Sequence, residues 1–180
     1  MNGAPPSETA GEPVITEAEE RRYAELQTQA LDLARAGETT LLESMVRAGL
    51  PVNLEDHKGD TLLMLACYHD QLETARMLLA HGAGVDRRNQ RGQTPLGGVA
   101  FKGYAEIARL LLEHGAAVDA DNGNGMTPLM FAGMFGRTEV AEVLRQAGAN
   151  VRTRNRYGLT SGVLARTAFI WRTLMRLAKR

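Results

Sequence analysis

Aromatic side chains are scarce in this chain: 5% of 180 residues, with one Trp, four Tyr and four Phe. A core must therefore be aliphatic, built mainly from Leu, Ala, Val and Met. Cysteine is nearly absent. The single Cys67 excludes an intrachain disulfide and reads as a small buried core residue. Neither sign of charge is in excess, since 21 Lys and Arg balance 21 Asp and Glu. No global field draws the chain to nucleic acid or to a membrane, so electrostatic specificity must be local. No apolar run is long enough to span a bilayer. The opening M-N-G-A-P-P-S-E-T-A-G-E-P-V-I-T has neither the basic start nor the apolar stretch of a secretory signal. The expected compartment is the cytoplasm.

Residue sets that carry chemistry are missing too. There is no Gly-Lys-Ser/Thr phosphate loop, and Gly123-x-Gly125 runs into Thr-Pro rather than a dinucleotide fingerprint. The histidines are His57, His69, His81 and His114. No carboxylate or thiol keeps ligand spacing to them, so no metal is expected. Cys67 and His69, two apart on a helix, do not face one way. Ser44 and Ser161 have no neighbouring His and acid, which leaves nucleophilic catalysis unsupported. The sequence implies no cofactor and no enzyme.

What is present is a period. Gly59, Gly92, Gly125 and Gly158 are each 33 residues apart, and Thr61, Thr94, Thr127 and Thr160 keep the same step. Gly82, Gly115 and Gly148 repeat it, as do Ala83, Ala116 and Ala149, and Val85, Val118 and Val151. Five columns in one register define repeats at 56–88, 89–121 and 122–154, with a last one from 155 to 180. Stepping back from Gly82 and Val85 reaches Gly49 and Val52, which marks a degenerate repeat over about 23–55. Each unit reads as a glycine turn, a Thr cap, a short helix, a break at Asp70, Gly103 or Gly136, and a second helix ended by Gly. Pro95 and Pro128 fall at the first helical position, where a missing N–H costs nothing.

Residues 1–15, rich in Pro, Gly, Ser and Glu, are expected to be disordered, and the folded unit spans 16–180. Thr16 with Glu19 forms a capping-box pattern, so a helix starts near Glu17 and shields the first repeat. At the other end Phe169 replaces the glycine of the break. Ile170, Leu174 and Leu177 are expected to face the stack, with Arg172, Arg176, Lys179 and Arg180 outward as a basic cap.

The runs D-H-K-G-D-T-L-L, N-Q-R-G-Q-T-P-L and N-G-N-G-M-T-P-L resemble the ankyrin repeat family in its small bacterial-type form, as do the endings H-G-A-G-V-D, H-G-A-A-V-D and A-G-A-N-V. The resemblance covers roughly 23–180. It implies an all-α solenoid of about five repeats, with degenerate capping repeats at both ends. There are departures. The family's usual His after T-P-L is Met64, Gly97 and Met130 here. Losing the polar link made by that His is expected to loosen the joints. Gly97-Gly98 lies mid-helix, and Gly98 is expected to make room for Phe131.

The resemblance also implies a function: binding a protein partner in a concave groove made of turn tips and first helices. Carried onto this chain, its contact positions fall at Tyr68-His69, Phe101-Lys102 and Met134-Phe135, with His57, Lys58, Arg91, Arg156 and Tyr157 on the tips. Tyr68, Phe101 and Met134, 33 apart, are expected to form one apolar stripe. Arg88, Arg91, Arg152, Arg154 and Arg156 give basic tips that would steer an acidic partner. Asp86, Asp119 and Asp121 read as turn formers that aid solubility. A monomer is expected, with nucleic acid and membrane disfavoured as partners. The alternative role is regulation or inhibition of a partner enzyme, in a stress response.

Overall fold

The computed structural model describes residues 16–177, with side chains described through Ile170. The segment 1–15 and the side chains of Arg172, Leu174, Arg176, Leu177, Lys179 and Arg180 lie outside the described residues.

Among the described residues every regular element is a helix. The order is α1 (Glu17–Ala36), α2 (Thr39–Arg47), α3 (Leu62–Tyr68), α4 (Leu72–Ala80), α5 (Pro95–Lys102), α6 (Ala105–Glu113), α7 (Pro128–Phe135), α8 (Thr138–Gln146) and α9 (Ser161–Leu177). Helices α1, α3, α5, α7 and α9 pack side by side in one layer, and α2, α4, α6 and α8 in a second. The result is an all-α solenoid.

The local causes are the ones the period suggested. The hydroxyls of Thr61, Thr94 and Thr127 accept from the backbone N–H of Met64, Gly97 and Met130 at 3.1, 3.2 and 3.3 Å. This satisfies one orphan donor at each start. Gly59, Gly92, Gly125 and Gly158 open the turns with φ between 71° and 75°, a region that glycine enters without steric cost. The first helices end left-handed at Gly103 (φ 99°) and Gly136 (φ 66°), but at Asp70 (φ 63°) a side chain occupies that conformation. Left-handed backbone costs a side-chain-bearing residue about 1–2 kcal/mol, less for Asp. Asp70→Gly is therefore expected to raise the unfolding free energy by roughly 0.5 kcal/mol after the added freedom of the unfolded chain is counted. Urea unfolding of the two chains checks this.

The ends follow the same logic. The first repeat lacks the front glycine turn, so nothing interrupts α1, which runs 20 residues from a complete Thr16–Glu19 capping box. At the other end Phe169 stands where glycine breaks the chain, and α9 continues through it. Ile170 is 56% exposed, so it does not face the stack.

The core is aliphatic. Leu62, Leu78, Leu96, Ile107, Leu111 and Leu144 are fully buried, each stabilising the fold by about 1.5–3 kcal/mol. No described aromatic side chain is fully buried. Cys67 lies in this core, and burial pushes its thiol well above the ordinary range.

Polar links join each unit to the next in the same 33-residue step. Asn53 Oδ1 accepts from the N–H of Gly84 at 2.8 Å. The carboxylate of Asp86 accepts from Ala117 N–H at 3.0 Å, and that of Asp119 from Asn150 N–H at 3.0 Å. These two aspartates thus do more than shape turns: they fasten neighbouring units.

Where the family's His is missing, asparagines make polar links between neighbouring units. Asn89 Nδ2 donates to Asp60 Oδ1 at 2.7 Å, and Asn155 Nδ2 to Met126 Sδ at 3.4 Å. At the middle joint Asn122 Oδ1 accepts from both the N–H and the hydroxyl of Thr94, at 2.8 and 3.0 Å. Asn122 can reach inward because Gly97 has no side chain. A Cβ there would lie 1.9 Å from Asn122 Oδ1. In the other turns the first residue caps its own loop, as Asn89 Oδ1 does for the N–H groups of Arg91 and Gln93. With Asn122 turned away, Asp121 Oδ1 takes over, accepting from Gly123 and Gly125 at 2.9 Å.

Candidate protein-binding groove

The C-terminal ends of α3, α5 and α7 bring the scarce aromatics together. Tyr68 and Phe101 stack with ring centroids 6.4 Å apart and planes within 6°. Phe101 meets Phe135 edge-on at 4.4 Å. The row therefore runs Tyr68, Phe101, Phe135 and slips by one residue at its last step. The expected third member, Met134, is half-buried, and Phe135 takes its place. Tyr68 is 43% and Phe135 37% exposed, and Phe101 is half-buried between them. These rings touch one another.

Two further residues singled out in the sequence join the row. Lys102 places Nζ 4.4 Å above the Tyr68 ring, a cation–π contact. His69 packs edge-on against Tyr68 at 6.2 Å. Burial, then the cations of Lys102 and Arg35, hold the imidazole below its ordinary value of 6.5. The unfolded chain therefore takes up this proton first as pH falls. Stability from His69 is complete above about pH 6.5 and is lost on acidification through the folded-state value. The urea midpoint should hold level from about pH 8 to 7 and fall below about pH 6.5, less so in His69→Gln. A titration series on both chains reads this directly.

Beside the row lies a hollow of about 460 Å3. Tyr68, His69, Phe101, Lys58 and Arg91 border it, together with Arg35, Met64, Leu65, Gly97, Gly98 and Phe131, which the sequence reading did not assign to a site. Gly98 does not make room for Phe131. The nearest atom to a Cβ built on Gly98 is Tyr68 Cδ2, at 3.4 Å, from the preceding unit. The signal was present in one column: Leu65, Gly98 and Phe131 are 33 apart, and the middle side chain is missing.

The turn tips divide. Lys58 and Arg91 are exposed at the hollow. His57, Arg156 and Tyr157 are exposed but do not line it; Tyr157 is 73% exposed, and Arg156 reaches Asn124 Oδ1 at 3.5 Å. Two of the arginines expected to steer a partner are engaged by the fold. Arg154 donates to the Gly158 carbonyl at 2.7 Å, and Arg88 to the carbonyls of Gly92 and Asp121. Away from the groove His81 Nε2 lies 3.2 Å from Glu43, and His114 Nδ1 lies 2.9 Å from the Leu110 carbonyl. No described helix is long and apolar enough to cross a membrane, and no three described His, Cys, Asp or Glu side chains converge as metal ligands.

Stacked helix pairs in two layers, with a groove along the first, define a helical repeat solenoid. The family model for ankyrin repeats in three copies matches residues 30–122 and again 81–155, well over half of the chain. The chain belongs to the ankyrin repeat family. It is also 53% identical over 49 residues to a protein of Pseudomonas aeruginosa named as an ankyrin repeat protein. That match covers 27% of this chain and 29% of the relative's length. Ankyrin repeats are generally protein–protein interaction modules and typically not enzymes.

Proposed function

We propose that this chain is a non-enzymatic module that holds a protein partner along its concave groove, acting as a monomer in the cytoplasm. The observation that carries this is the row of Tyr68, Phe101 and Phe135. Tyr68 and Phe135 are exposed, and half-buried Phe101 joins them into one row. A contiguous exposed apolar patch marks an interface, and Tyr and Trp lead the residues that dominate binding energy. His69, Lys102 and Met134 flank the row. His57, Lys58, Arg91, Arg156 and Tyr157 on the turn tips set register and partner choice more than affinity.

The test is a comparison of immobilised chains. Extract of the native cell is passed over the parent and over Phe101→Ala/Phe135→Ala, and retained proteins are quantified by mass spectrometry. The proposal predicts at least one protein that the parent retains and the variant retains at least ~10-fold less. Identical sets on both would refute it.

A further inference from the structure

The column of Leu65, Gly98 and Phe131 runs across the floor of the groove with a gap at its centre. Nothing in the fold requires that gap. Gly98 sits mid-helix without a positive φ, and an added Cβ meets only Tyr68 Cδ2, at 3.4 Å. Glycine is a poor helix former at such a position. Gly97, by contrast, is accounted for by Asn122. The gap leaves a hollow of about 460 Å3, within the usual range of roughly 300–1,000 Å3 for pockets that hold a guest. Leu65, Tyr68, Phe101 and Phe131 supply the apolar part of its lining, beside polar residues such as Asn89, Gln93 and Thr94.

The mouth of this hollow is positive. Its two carboxylates are engaged by the protein itself. Asp56 accepts from Arg35 at 3.2 Å and from the N–H groups of Lys58 and Asp60 at 2.8 and 3.0 Å, and its side chain is 5% exposed. Asp60 accepts from Asn89. The nearby cations are not so engaged. Lys58 and Arg91 are exposed and form no ion pair among the described residues, and Lys102 faces only a ring. His69, on the same rim, is held below its ordinary value by burial first and then by the cations of Lys102 and Arg35.

We propose that the hollow over Gly98 takes one apolar side chain of a partner polypeptide, flanked by Asp or Glu residues whose carboxylates meet Lys58 and Arg91. This rests on the groove reading above and specifies the chemistry of its guest. An apolar anchor in a desolvated pocket supplies affinity, and the flanking charges supply selection. Nucleic acid fits less well, because two aspartates stand at its mouth and the chain carries no net charge.

A phage-displayed library of random twelve-residue peptides, selected on the full chain, tests this. The selected peptides should share an apolar residue with acidic neighbours. Synthetic copies, measured by fluorescence polarisation, should bind Gly98→Leu and Lys58→Glu/Arg91→Glu at least ~10-fold more weakly, and bind more weakly as salt rises. Gly98→Ala, the gentler filling, should lose part of the affinity while unfolding no earlier than the parent. No enrichment, enrichment of basic or neutral peptides, or full binding to the filled variants would overturn the inference. So would preferential capture of a labelled oligouridine. If selected peptides lose binding to Phe101→Ala/Phe135→Ala but not to the filled or charge-reversed variants, the groove reading stands and this inference falls. If no variant weakens them, both fall.

Discussion

Gly97→Ala unfolds below the parent chain, whereas Gly98→Ala, one residue on in the same helix, unfolds above it. At Gly97 the new Cβ would lie 1.9 Å from Asn122 Oδ1. Asn122 must swing out, and Thr94, fully buried, then loses the acceptor for both its N–H and its hydroxyl. A buried donor left unpaired costs about 1–3 kcal/mol, against about 1 kcal/mol gained by replacing glycine with alanine in a helix. The net loss is about 2 kcal/mol, or about 4–8 °C in a chain of this size. At Gly98 only the helix gain applies, because the nearest atom, Tyr68 Cδ2, is 3.4 Å away. The expected rise is about 1 kcal/mol, or about 2–4 °C. Thermal unfolding followed by circular dichroism separates the two. Shifts of the same sign would mean that Asn122 is not the reason for Gly97.

The second large effect is on binding. Phe101→Ala/Phe135→Ala should weaken the partner complex by at least about 2 kcal/mol, a loss of about 30-fold. Phe101 touches both neighbouring rings and Phe135 ends the row, so the pair removes the row's continuity in one step. Stability should suffer far less than it would in the core. Each aromatic pair contributes about 0.5–1.5 kcal/mol, whereas truncating a buried Phe costs about 3–5 kcal/mol. Calorimetric titration of the captured partner, beside thermal unfolding of both chains, reads the two effects separately. A variant that loses its helices would show the row to be core.

The fold was legible because glycine, threonine and proline mark the turns and helix starts by backbone geometry, which depends on few neighbours. Turns at Gly59 and Gly92 and caps at Thr61 and Thr94 are local events that any register-keeping reading finds. The site was legible only as columns. Tyr68 and Phe101 fell in register, but the next ring is Phe135 rather than Met134. A one-residue slip at a helix end turns the side chain by about a quarter of a turn, and repeat spacing alone does not reveal it. The asparagine links were not legible. Whether Asn122 caps its own turn or reaches back to Thr94 depends on the space above Gly97, a tertiary fact. The same holds for the turn arginines, because Arg88 and Arg154 find carbonyls only once the turns are folded.

Hydrogen exchange of the chain with and without its captured partner tests the groove most directly. The account predicts that new protection falls on the ends of α3, α5 and α7 and on the turns carrying Lys58 and Arg91, while α4, α6 and α8 stay as they were. Protection confined to that outer layer would place the partner on the opposite side and contradict the groove as the binding surface.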